Sequence, residues 1–143
     1  MRVGIALILL VSAAAAAPVP KEVKKNDFAS LVGTWVDAGT CVGLAAPKPA
    51  GGYSWKFDPD GAASILWPTR KPTEGVKFTI DSTASPKTFD WITPWGEWYG
   101  VYELKGDTFT LYMPTTSGKE RCKELKPHPN VTSHTFQRFE SSK

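Results

Sequence analysis

The sequence predicts an all-β domain, an eight-stranded antiparallel up-and-down barrel preceded by a short helical turn, and three observations lead there. From Asp27 onward the apolar residues alternate at period two, the spacing of strands with one buried face. Turn residues break that alternation about every eight to twelve residues, and the 12 Pro and 12 Gly fall between the apolar segments. The connections between segments are alternately long and short, as in a meander whose two ends differ.

The elements follow in order. Residues 23–31 hold one or two helical turns, with Asn26 or Asp27 as N-cap and Phe28 and Leu31 on one face. Residues 33–37 (GTWVD) form the first strand and 52–57 (GYSWKF) the second, with Tyr53, Trp55 and Phe57 on one face. Asp58-Pro59-Asp60-Gly61 turns the chain into a third strand, 62–67. Residues 76–81 (VKFTID) align Val76, Phe78 and Ile80, and 88–92 (TFDWI) align Phe89 with Trp91. Strands 98–104 and 108–113 flank Lys105-Gly106-Asp107, the clearest hairpin signal, and 133–139 (SHTFQRF) is the eighth strand.

Closing the meander removes the edges that an open sheet would have to protect. Connections 58–61, 82–87 and 105–107 then share a tight end, and 38–51, 68–75, 93–97 and 114–132 share an elaborated mouth. The reading places Trp55, Phe78, Ile80, Phe89, Trp91, Phe109 and Leu111 inside the barrel.

Upstream, Arg2, the apolar run 3–11 and the small residues 12–17 have the order of a cleaved signal peptide. The run is shorter than the ~20 residues that span a bilayer. The expected organisation is a signal peptide over 1–17, a tether over 18–27 and one barrel domain over 28–140, exported to the periplasm or the exterior. Cys41 and Cys122 both fall in mouth connections. In an oxidising compartment they read first as one disulfide, worth ~4 kcal/mol across so long a loop, with two free thiols as the competing reading.

Gly33-Thr34-Trp35 after a helical turn resembles the G-x-W motif of lipocalin-type (calycin) barrels, and Arg138 matches the Arg that packs over that Trp. The ordered set Gly33-Thr34-Trp35, Ser85-Pro86-Lys87-Thr88-Phe89-Asp90, the GVYELKGD of residues 100–107 and Phe136-Gln137-Arg138 resembles a small lipocalin-like domain family expanded in planctomycete bacteria. The likeness covers about residues 28 to 138 and implies fold and export; it carries no activity. It also implies structural roles for Gly33, Trp35 and Arg138.

The candidate ligand-binding residues are Trp55, Trp67, Trp91, Trp95 and Trp98, since indoles at a barrel mouth can stack on a sugar, a flat aromatic or a lipid tail. The competing reading has them capping a filled barrel. Residues 91–98 (WITPWGEW) read as a turn with an aromatic rim, because Pro94 and Gly96 oppose a helix. His128 and His134 read as surface residues, and Asp58 and Asp60 as a plain turn without the further ligands of a calcium loop. No cofactor, metal or nucleophile motif is found. Without Arg2 the 17 basic residues fall to 16 against 14 acidic, spread along the sequence, which argues against nucleic acid as partner. The expectation is therefore a non-enzymatic module that takes a small hydrophobic or aromatic molecule at the mouth, the alternative being a filled barrel serving as a structural or protein-interaction domain.

Overall fold

The structure is a computed structural model and describes residues 26–46, 48, 51–118 and 120–139. The expected signal peptide, residues 1–17, and all but the last two residues of the expected tether lie outside the described residues.

Eight antiparallel strands close into a barrel in chain order: β1 (Gly33–Val42), β2 (Ser54–Phe57), β3 (Ala62–Leu66), β4 (Thr73–Asp81), β5 (Thr88–Thr93), β6 (Gly96–Lys105), β7 (Thr108–Pro114) and β8 (Val131–Arg138). A single helical turn, α1 (Asp27–Leu31), precedes them, with the Asn26 side chain accepting the Phe28 N–H as N-cap. Every predicted strand forms, and the differences lie at their ends. β1 runs five residues past its predicted end because β8 pairs with it up to Val42. The 93–97 connection shrinks to Pro94-Trp95, because β5 and β6 stay paired as far as Thr93 and Gly96.

The interior is a stack of rings. Trp35, Trp55, Phe57, Phe78, Phe89, Trp91, Tyr102, Phe109 and Phe136 are all buried, with Leu111, Val76 and Met113 between them. An eight-stranded barrel is wide enough to be filled by side chains or to hold one small ligand, and here the aromatics fill the axis. Their contacts run continuously: Phe57 with Phe78 (4.7 Å between centroids), Phe89 with Phe109 (5.7 Å) and Trp55 with Phe136 (4.6 Å).

The tight end is sealed. Phe28 of α1 stacks on Phe78 at 5.3 Å, and Leu31 is fully buried. Trp35 Nε1 donates to the Leu31 carbonyl (2.7 Å), and the Arg138 guanidinium lies over the Trp35 ring, 4.4 Å from its centroid. Arg138 also donates to the carbonyls of Ser30 and Val32 and pairs with Asp107, so the last strand is fastened to both α1 and the β6–β7 turn. Gly33 has φ +126° and a Cβ there would come within 3.3 Å of Arg138 Nη1, so glycine suits this crossing. Asp27, the buried first residue of α1, accepts from the Tyr102 hydroxyl (2.9 Å) and from Lys87 Nζ (2.7 Å). Burial, and then Asp27, push the Tyr102 hydroxyl far above the usual phenol range.

The disulfide expectation is corrected: Cys41 and Cys122 are both free thiols. Cys41 lies within β1, opposite Ser133 of β8, and not in a connection. The β7–β8 connection, residues 115–130, drapes down the barrel wall, and its Cys122 N–H donates to Tyr99 O of β6. Strands β7 and β8 stand between β6 and β1, more than about 10 Å of wall at ~4.8 Å per strand, whereas a disulfide needs Cα atoms within about 7 Å. The alternation of long and short connections does not fix where a 16-residue connection lies along the wall.

Candidate functional site

The drape of the β7–β8 connection has a cause in the sheet. β6 pairs with β7 only between Val101↔Tyr112 and Lys105↔Thr108. Pairing stops at Val101, and β7 still crosses close over the next residue, Gly100, where a Cβ would lie 2.6 Å from Tyr112 O and 2.9 Å from Met113 Cγ. The released edge of β6 is taken by Gly118 N–H to Glu97 O and Cys122 N–H to Tyr99 O. Arg121 pins the segment through Asp90 (2.6 Å) and the Gly100 carbonyl (3.1 Å). A surface groove of about 800 Å³ lies between the arms of this connection, and one of about 490 Å³ separates its residues 120–123 from Ser85 and Pro86. Both grooves are outside the barrel. Burial raises the Cys122 thiol pKa, with Arg121 opposing.

At the long-loop end Trp55, Trp91 and Trp98 are neighbours, and Trp67 connects to them through Tyr53 and Phe136. Trp55 and Trp91 stack face to face, 4.3 Å apart and 14° from parallel, as a buried floor. Trp98 sits opposite Trp91 across the β5–β6 pair and packs on the core from a half-buried position. Trp67 is held between Tyr53 (5.4 Å) and the Arg70 guanidinium (3.9 Å), with its Nε1 donating to Thr73 Oγ1. The fifth, Trp95, points away on the two-residue β5–β6 turn and is 60% exposed. The exposed large apolar residues Val42 and Leu44 (71%) stand at this end as well.

A polar cluster lies beside the tryptophan floor. A bulge between Asp37 and Gly39 shifts the β1–β8 register, so that Asp37 faces Phe136 and Thr40 faces His134. Asp37, only 2% exposed, accepts from the Gly39 and Gly51 N–H groups and from the Thr40 hydroxyl (3.4 Å). Thr40 Oγ1 and the Tyr53 hydroxyl lie 3.3 and 3.2 Å from His134 Nδ1, and 3.3 Å from each other. Burial drives the His134 pKa down to about 4 against the pull of Asp37, and burial raises that of Tyr53. Asp37 bonds Thr40 and not His134, so the set lacks the carboxylate–imidazole–hydroxyl order of acyl transfer. The expectation that His134 is a surface residue is corrected: strand pairing folds it inward next to Phe136, 5.7 Å from the Trp55 ring.

Sequence reasoning missed this cluster although a signal was present. With Trp35 inward, alternation puts Asp37 inward, and with Phe136 inward it puts His134 inward. Thr40 was not legible, because the bulge changes its parity. His128 is exposed, and among the described residues no group of His, Cys, Asp or Glu is arranged to hold a metal. Asp58 and Asp60 form a turn, with Gly61 N–H donating to Asp58 O and Ala62 N–H to Asp60 Oδ1. No helix among the described residues is long and apolar enough to cross a membrane. No family model, curated protein or solved structure matches the chain.

Proposed function

We propose that this chain is an exported, non-enzymatic recognition domain of lipocalin-like kinship whose working face is the long-loop end, and whose ligand offers a small apolar or aromatic group. The observation that carries the reading is the contrast between the two ends. The tight end is closed by α1 and Arg138, with its buried polar side chains paired. The long-loop end has a floor of stacked indoles, with Trp67 and Trp98 half-buried and Trp95, Val42 and Leu44 exposed at the same end. Apolar and aromatic side chains clustered beside a few fixed polar groups are the ordinary make-up of a small-molecule site. The filled axis favours a ligand seated at this end over one enclosed along the barrel.

The filled interior also favours the second reading, a barrel that meets a protein partner through the same loops. Intrinsic tryptophan fluorescence during titration with fatty acids, retinoid-like probes and sugars separates them. A response lost in Trp67→Phe or Trp98→Phe supports the small-molecule reading, and no response across the panel contradicts it.

A further inference from the structure

The two ends of the barrel differ in charge as well as in closure. Around the tight end Lys56, Lys87, Lys105 and Arg138 each pair with a carboxylate. At the long-loop end Lys48 of the β1–β2 connection and Arg70 and Lys71 of the β3–β4 connection are exposed, and among the described residues none of the three has an acidic partner. The two connections are adjacent: a Cβ on Gly52 would meet Pro68 Cγ at 3.6 Å, and Tyr53 packs on Trp67, over which the Arg70 guanidinium lies. The carboxylates nearest this rim are Glu74 and Glu97, at the starts of β4 and β6, and buried Asp37. Glu97 accepts from the Tyr99 hydroxyl, and Asp37 is engaged by Gly39, Gly51 and Thr40.

Exposed apolar side chains frame these cations. Leu44 (71%) and Val42 (47%) stand at the end of β1, and Trp95 (60%) on the β5–β6 turn, across the ring of eight strands from it. Leu44, Lys48, Arg70, Lys71 and Trp95 thus follow one another along half of the rim. Apolar tips exposed together with cations at one end of a domain mark an interaction surface.

We propose that the long-loop end docks on the surface of an anionic lipid bilayer, with Trp95 and Leu44 entering the headgroup layer and Lys48, Arg70 and Lys71 meeting lipid phosphates, a step that rests on this end being the working face. Charge complementarity selects the partner: three cations without acidic partners gain most from a surface that carries anions throughout. The spacing of the apolar tips selects a bilayer over a folded partner. Tips on opposite sides of the rim would need two separate sockets in a protein, whereas a bilayer accepts an apolar side chain at any point and holds indoles at headgroup depth.

The test sediments the exported chain with vesicles of phosphatidylcholine alone and with vesicles carrying about 30 mol% phosphatidylglycerol. The anionic vesicles are expected to bind on the order of a hundredfold more tightly, about fivefold per cation, and the preference to shrink as salt is added. Lys48→Gln combined with Lys71→Gln, which spares the stack of Arg70 on Trp67, should weaken binding about 25-fold. Brominated lipid should quench tryptophan emission, and Trp95→Phe should lose most of that quenching while still binding. Should a variant fail to fold, the salt dependence and the quenching of the unaltered protein decide. Equal binding to neutral and anionic vesicles, or equally tight binding to soluble polyglutamate, overturns the bilayer as partner. No binding to either vesicle also overturns this inference, and leaves the working face to the tryptophan titration. Vesicle binding that survives the double substitution with Trp95 unquenched contradicts the inference and the working face together.

Discussion

His134 has the most legible chemistry of any single residue in the mouth. Its imidazole is held neutral by burial, with a pKa near 4 where the unfolded ring takes a proton near 6.5. Between those values the unfolded chain binds more protons than the folded one, so stability falls as pH drops from about 6.5 toward 4. The stabilisation is complete above the unfolded value and gone below the folded one. Thermal unfolding followed by circular dichroism should therefore show a midpoint that declines over this window. His134→Gln, which cannot titrate, should flatten that part of the profile. An unchanged slope in the variant would assign the acid sensitivity to other groups.

The β7–β8 connection is the element that departs furthest from its expected place. A free β6 edge above Gly100 draws it down the wall, and Arg121 holds it there through Asp90 and the Gly100 carbonyl. Its tether is partly exposed and is worth about 1 kcal/mol or less to the whole fold, while Cys122 lies buried beneath it. Arg121→Ala should thus speed alkylation of Cys122 severalfold in the native protein and leave the global unfolding midpoint nearly unchanged. Under denaturing conditions without reductant both cysteines should alkylate, giving two adducts by intact mass. A chain lighter by two hydrogen atoms and closed to alkylation would restore the disulfide, and an Arg121→Ala protein with protected Cys122 would remove Arg121 as the latch.

At the scale of the molecule, the barrel was legible because its two signals are local and repeated: period-two alternation and turn residues at regular spacing. Trp55, Phe78, Phe89, Trp91, Phe109 and Leu111 face the core as alternation predicts. What sequence could not give depends on register and on long loops. One bulge in β1 decides that Thr40 meets His134, and hydrogen bonds to a strand far away in sequence decide where Cys122 lies. Charge shows the same limit: among the described residues of connections 43–53, 67–72 and 94–95 stand Lys48, Arg70 and Lys71 and no acidic residue, although along the chain the charges look evenly spread. Of the candidate site, the tryptophans were readable as residue types near a mouth. Their division into floor, wall and exposed tip was not, because it follows from which strand partner each indole meets.

The central claim is that the long-loop end is the working face of a filled barrel. Amide chemical-shift mapping during titration with whichever panel compound alters the tryptophan fluorescence tests it most directly. The account predicts perturbed amides clustered in connections 43–53, 67–72 and 94–95 and at His134. A cluster at 58–61, 82–87 and 106–107, around the end sealed by Arg138 and α1, would contradict it.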